Sequence, residues 1–233
     1  MHIKGFQGTS LLDFPGKLAA LVFTGGCNLT CPYCHNPGLV LDPGQYPDYL
    51  LDELLADLRQ RSGFIDGVVV SGGEPTLEPG LEEFLVELKG MGLQVKLDSN
   101  GLLPEVLQRL LKLNLIDYLA IDLKTSPDRY SELYSRPVDS APLLETIKLT
   151  KSVDCEYEFR TTCVPGLVET DDIRTMGEAI NGARLWVLQQ FVPQHALDVT
   201  LHEIAPHTSQ TLQKFSSLAS DYVVEVKTRG DAH

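Results

Sequence analysis

The chain has 233 residues, with 32 Asp+Glu against 19 Lys+Arg and a formal net charge of -13. So large an acidic excess leaves no general source for the phosphate attraction behind most nucleic-acid binding, and no nucleic acid is expected as a partner. With 43% hydrophobic residues there is material for a large core, yet no uninterrupted apolar stretch approaches the ~20 residues that cross a bilayer, and the N-terminal MHIKGFQGTS lacks the apolar centre of a signal peptide, so the expectation is a cytoplasmic protein with no membrane partner.

In chain order, short apolar or β-branched runs recur at 18–24 (LAALVFT), 67–71 (GVVVS), 93–98 (LQVKLD), 118–124 (YLAIDLK), 157–164 (YEFRTTCV) and 184–191 (RLWVLQQF), and these predict six strands. Between them, apolar residues fall at helical spacing: Leu50, Leu51, Leu54 and Leu58; Leu81, Phe84, Leu85 and Leu88; Val106, Leu107, Leu110 and Leu111; Leu143, Leu144 and Ile147. Pro47, Pro79, Pro104 and Pro142 are read as opening these helices, where a missing amide costs no hydrogen bond. Strand alternating with helix implies parallel βα units. There is no fixed repeat, low-complexity tract or linker. The reading is one α/β domain over 1–233, with its core at about 18–192, an N-terminal extension at 1–17 and a C-terminal helix and strand within 200–229. It is either an incomplete barrel or a doubly wound open sheet.

Both architectures build their sites at the carboxyl ends of parallel strands. Polar clusters stand at those ends here: a three-cysteine loop after the first predicted strand, SGGEP after the second, DSNG after the third and DLK after the fourth. They are expected to converge. A period of two puts Ala120, Asp122 and Lys124 on one face of their strand, and Glu158, Arg160 and Thr162 on one face of theirs. Unpaired buried charge is costly, so such faces must meet a wet or ligand-filled space.

The loop itself, GGCNLTCPYCHNP at 25–37, gathers Cys27, Cys31 and Cys34, three of the five cysteines. In a reducing compartment clustered thiols are more often metal ligands or catalytic groups than disulfides. A structural zinc site takes four ligands in paired short spacings, whereas this is C-x3-C-x2-C with no near fourth cysteine. Iron-sulfur clusters also take thiolates, and three of them on a four-iron cluster would leave one iron open. Zinc and an unligated loop remain as alternatives. Cys155 and Cys163 are read as small buried thiols.

Cys27-Asn-Leu-Thr-Cys31-Pro-Tyr-Cys34 together with Gly72-Gly73-Glu74-Pro75 resembles the radical S-adenosylmethionine enzymes. More narrowly, SLLDFPGK at 10–17, CPYCHNP, DSNG and DLK resemble the activating enzymes of glycyl radical enzymes, and among them the activating proteins of anaerobic ribonucleoside-triphosphate reductase. The likeness covers roughly residues 3–166 and weakens beyond. It implies an incomplete parallel (β/α)6 barrel of the radical SAM type. It also implies a [4Fe-4S] cluster on Cys27, Cys31 and Cys34, which are then the catalytic ligands, and S-adenosyl-L-methionine as cofactor. A low-potential reductant such as flavodoxin or ferredoxin would supply one electron, cleavage of the cofactor would give a 5'-deoxyadenosyl radical, and that radical would take hydrogen from a glycine of the partner protein.

The same resemblance implies roles residue by residue. Tyr33 would contact the adenine region, and Gly72, Gly73 and Glu74 the methionine amino group. Asp98, Ser99 and Asp122 with the Leu123 carbonyl would hold a monovalent cation beside the cofactor carboxylate. Lys124 and Arg160, the latter in an R-x4-P-G pattern, would place positive charge near the carboxylate or ribose, with internal pairing to Asp122 or Glu158 as the alternative. Asn100 would complete the cofactor-binding turn, or serve only as a strand-to-helix turn. Where the family carries a cofactor-contacting histidine in its last barrel strand, this chain reads LQQFVPQH, with Gln189, Gln190 and a displaced His195. Two other classes stay in view: a radical enzyme acting on a small molecule, and a non-catalytic iron-sulfur or zinc module.

Overall fold

The computed structural model describes residues 1–230 other than 135. Residue 135 and residues 231–233, which the expected domain includes, lie outside the described residues. The six expected strands are present as β2 (Ala19–Thr24), β3 (Gly67–Gly72), β4 (Gln94–Ser99), β5 (Tyr118–Asp122), β6 (Glu156–Cys163) and β7 (Leu185–Gln190), between an unanticipated β1 (Ile3–Ser10) and the expected C-terminal strand, β8 (Glu225–Arg229). Together they form one sheet whose order follows the chain from β1 to β8. Among the described residues only β1 is antiparallel to its neighbour; β2 through β8 pair in parallel.

That order decides between the two expected architectures. A doubly wound sheet reverses its strand order at a switch point. No reversal occurs here, which is the winding of a (β/α) barrel. The ladder ends at β1 and β8 without closing on itself, so the barrel is partial. In β1, IKGFQGTS has no continuous apolar run, as suits an edge strand; its outer side is met by the 46–49 segment, where the Tyr49 amide donates to the Ile3 carbonyl at 2.9 Å.

The helices are α1 (Pro37–Leu41), α2 (Leu51–Arg61), α3 (Leu81–Gly90), α4 (Pro104–Lys112), α5 (Ala141–Ser152), α6 (Thr170–Ala179) and α7 (Ser209–Ala219). Pro104 heads α4 and Pro142 stands in the first turn of α5, as expected. Pro47 does not open α2, which begins at Leu51 after an extended Leu50; acidic Asp52 and Glu53 occupy its first turn instead. The helix α6 was not foreseen from apolar spacing, and a capping box between Glu169 and Asp172 sets its start.

Two apolar layers follow from strand alternation. On the helix side, Val68, Val70, Val95, Leu97, Leu119 and Ile121 pack with Leu58, Leu85, Leu88, Leu107, Leu110 and Leu143; full burial contributes about 1.5–3 kcal/mol for each such leucine. Inside the barrel a smaller group holds Phe14, Ala19, Leu21, Val69 and Tyr118. Phe14 meets Tyr118 edge-on at 5.8 Å, and a Cβ on Gly67 would stand 3.0 Å from its ring. The β1–β2 loop thus fills the amino-terminal end of the interior and leaves the carboxyl end open. Cys163 is buried on the helix side, whereas Cys155 precedes β6 and is only half-buried, which corrects the expectation of two buried thiols.

Candidate functional site

The cysteine loop leaves β2 through Gly25 and Gly26, the latter at φ +79°. Its backbone is tied to the neighbouring strand end: the Gly73 amide donates to Thr24 at 2.9 Å and the Glu74 amide to Gly26 at 2.8 Å. A Cβ on Gly73 would lie 1.8 Å from the Gly26 carbonyl oxygen, so only glycine permits this approach. Further along, the Thr30 amide reaches the Leu133 carbonyl at 3.2 Å, and the Asp198 amide reaches the Pro32 carbonyl at 2.7 Å. The loop is therefore held from three sides. Cys31 is buried, and Cys27 and Cys34 are half-buried.

Burial pushes the Cys27 thiol up to about 12 and the Cys31 thiol to about 11, with Glu74 adding to the first and Lys124 opposing both. Neither ionises unaided at neutral pH, so a ligand that competes with the proton has to draw out the thiolate. Tyr33, between Cys31 and Cys34 in sequence, is buried and donates its hydroxyl to the Lys124 carbonyl at 3.1 Å.

Five strand ends face this loop across a 330 Å³ cavity. Its walls include Cys27, Cys31, Tyr33 and Cys34, then Gly72, Gly73 and Glu74, then Asp98, Ser99 and Asn100, then Asp122 and Lys124, and finally Arg160. The residues expected to hold the cluster or the cofactor are thus gathered at one rim, while Leu123, expected to offer its carbonyl to a cation, is buried and outside the lining. Sequence reasoning did not assign Ser71, Thr162 or the Asp13 of the β1–β2 loop, which also line the cavity. Parity had already put Thr162 on the face of Arg160, but without a role. Gln189 lines the cavity; Gln190 turns away to donate to the His207 carbonyl at 2.7 Å. The His195 ring packs edge-on against His35, 6.3 Å between centroids.

Beneath the rim runs a ladder of alternating charge. Lys124 donates to Asp122 at 2.8 Å, Arg160 bridges Asp122 at 2.8 Å and Asp98 at 3.0 Å, and Lys96, itself fully buried, pairs with Asp98. Burial pushes the Asp122 carboxyl up, but Arg160 and Lys124 outweigh it and hold the group well below the usual carboxylate range. Lys124 and Arg160 are both paired internally with Asp122, and Arg160 with Asp98 as well. Glu158 pairs elsewhere, with Arg229 at 2.9 Å and the Tyr118 hydroxyl at 2.9 Å.

Glu74 is engaged by the protein itself. Its carboxylate accepts from the Thr76 amide at 3.1 Å, the Thr76 hydroxyl at 2.6 Å, the Ser99 hydroxyl at 2.8 Å and the Asn100 amide at 2.7 Å. Burial still raises its carboxyl above the usual range, these bonds opposing. The residue pins the end of β3 to the end of β4.

Among the described residues no three His, Cys, Asp or Glu side chains are grouped to hold a single metal ion. A four-iron cluster takes one thiolate per iron and needs no convergence on one point, so three thiols round a polar cavity fit it where they do not fit zinc. The monovalent-cation site fits less well: the Arg160 guanidinium stands between Asp98 and Asp122, and the Ser99 hydroxyl is turned to Glu74. The poorer fit has a plain cause, since a guanidinium already supplies the positive charge those carboxylates require.

Residues 21–179 match the Radical SAM superfamily. A Methanocaldococcus jannaschii protein whose name places it provisionally among the glycyl-radical enzyme activating enzymes is 33% identical over 235 residues, covering 97% of this chain and 95% of the relative. The pyruvate formate-lyase-activating enzyme of Staphylococcus aureus is 30% identical over 216 residues, covering 85% of this chain and 82% of the relative. Among solved structures, Streptococcus suis SuiB bound to S-adenosylmethionine aligns with a TM-score of 0.64 at 15% identity, over 90% of this chain and 52% of that one. The chain spans about half the length of SuiB, and the likeness is one of fold.

Proposed function

The chain belongs to the radical SAM superfamily, and on that premise we propose that Cys27, Cys31 and Cys34 hold a [4Fe-4S] cluster beside S-adenosyl-L-methionine. It is an activating enzyme of glycyl radical enzymes, the kind its relatives are named for. One observation carries the site assignment: five strand ends meet the three thiols round a single cavity. When bound, the cluster and cofactor supply a primary carbon radical by one-electron cleavage of a carbon-sulfur bond, and that radical takes a hydrogen atom from a nearby C-H bond.

The chain's own residues do the rest. The close Gly73–Gly26 approach and the Glu74 bonds fix the cysteine loop against the ends of β3 and β4. Tyr33 closes one wall of the cavity and keeps water from it. Lys124 and Arg160 offer donors and positive charge toward a carboxylate while their pairing with Asp122 and Asp98 holds both side chains still. Phe14 shuts the far end of the barrel, so substrate enters from the carboxyl rim or the unclosed side.

The partner we propose is anaerobic ribonucleoside-triphosphate reductase, on the likeness of SLLDFPGK and CPYCHNP; flavodoxin or ferredoxin is the proposed reductant. A second reading, pyruvate formate-lyase as partner, is favoured by the Staphylococcus aureus relative. The test mixes the reduced, cofactor-loaded enzyme anaerobically with each partner in turn and records electron paramagnetic resonance. A glycyl doublet on the reductase alone supports the first reading, and a doublet on the lyase alone supports the second. Silence with both, with turnover of a metabolite, replaces them with a small-molecule substrate.

A further inference from the structure

The DSNG turn does more than connect β4 to α4. Its Asn100 is 4% exposed, and its backbone amide is fixed on Glu74 at 2.7 Å. The turn is braced again by the Gly101 carbonyl, which accepts from the Thr146 hydroxyl of α5 at 2.7 Å. The side-chain oxygen of Asn100 accepts from the Leu102 amide at 3.0 Å. That bond settles the orientation of the side chain, because the oxygen has to face Leu102 and the NH2 group is left facing the cysteine loop. There it lies 2.6 Å from the Asn28 side-chain oxygen and 3.9 Å from Cys27 Sγ. The Leu29 amide points at the same sulfur from the other side, at 3.4 Å.

We propose that Asn100 is a positioning residue for the Cys27 corner of the cluster, its side-chain amide donating to Cys27 Sγ and so setting the potential at which the cluster accepts its electron. This rests on the cluster assignment made above. Donors aimed at a cluster sulfur stabilise the more negative, reduced state, and their removal moves the couple to lower potential. Asn100 serves both groups at once: its backbone amide satisfies Glu74, and its side chain faces the sulfur.

The experiment uses the full chain, reconstituted anaerobically with iron and sulfide and free of cofactor. Iron and sulfide analysis comes first, and a wild-type protein without a four-iron cluster defeats the cluster assignment and this proposal with it. With the cluster present, a redox titration followed by electron paramagnetic resonance compares wild type with Asn100→Leu, which keeps the bulk and removes the donor. The reduced-to-oxidised ratio at a fixed poise is expected to fall about tenfold, which is about 59 mV for a one-electron couple. Asn100→Asp, which puts a carboxylate oxygen against the sulfur, is expected to lower it further. A ratio within twofold of wild type in a fully loaded Asn100→Leu protein overturns the proposal. Wild-type protein grown with 15N-asparagine gives an independent reading even where the variants load no iron. A 15N coupling to the reduced cluster in electron-nuclear double resonance that persists in Asn28→Ser, since Asn28 also stands beside Cys27, supports the contact, and its absence overturns it.

Discussion

Replacing Glu74 with Ala tests whether this carboxylate is a brace between strand ends or a direct grip on the cofactor. The substitution removes one acceptor group that serves four donors, the Thr76 amide and hydroxyl, the Ser99 hydroxyl and the Asn100 amide. Hydroxyls can turn to other acceptors; the two backbone amides cannot. Each orphaned buried donor costs about 1–3 kcal/mol, so the pair costs about 2–6. Burial raises the Glu74 carboxyl above its usual range, and removing that strain returns part of the loss. The expected net destabilisation is about 2–4 kcal/mol. Urea unfolding of metal-free protein measures it, with a midpoint lower by about 1 M for a slope at the upper end of the ordinary range. Glu74→Gln, which keeps shape and one oxygen, is expected to fall between wild type and Ala. If Glu74→Ala unfolds within about 0.5 kcal/mol of wild type yet fails to bind cofactor, the brace is wrong and the side chain acts on the ligand directly.

Arg160→Ala leaves Asp98 and Asp122 short of their shared cation and should destabilise metal-free protein by about 3–5 kcal/mol, read from the same urea curves. Because Asp122 is held below the usual carboxylate range in the fold, its contribution is present above its unfolded value of about 3.9 and is lost as pH falls below that; Asp122→Asn should lower stability at neutral pH and flatten the loss between about pH 4 and the acid limit. Gly73→Ala puts a methyl 1.8 Å from the Gly26 carbonyl and should displace the cysteine loop, seen as loss of iron on reconstitution. Cys27→Ala, Cys31→Ala and Cys34→Ala should each abolish the cluster spectrum, while Cys155→Ala and Cys163→Ala, outside the cavity, should keep it.

Six parallel strands could be found in the sequence because their buried sides made apolar runs, and the motifs could be placed because parallel strands deliver their ends to one rim. IKGFQGTS announced no strand: an edge strand paired on one side has no need of continuous apolar character. Pro47 misled because proline marks extended chain as readily as a helix start, and here it precedes an extended Leu50. Strand-end placement and the family resemblance singled out Glu74, Arg160 and Asn100, but neither told which groups of this chain they would engage. Their tasks depend on partners 25 or more positions away, such as Ser99 for Glu74, Asp98 for Arg160 and Cys27 for Asn100. Lys96 went unremarked for the same reason, since nothing in a lone strand lysine tells that its ammonium will be buried against Asp98.

Glycyl radical activation is tested most directly by the origin of the hydrogen atom that ends in 5'-deoxyadenosine. The measurement is mass spectrometry of 5'-deoxyadenosine formed when the reduced enzyme and unlabelled S-adenosylmethionine meet a glycyl radical protein deuterated at its glycine α-carbons. The account predicts deuterium in the 5'-methyl group, about one atom for each partner chain that gains a radical. 5'-Deoxyadenosine formed without deuterium while the partner stays radical-free would contradict it.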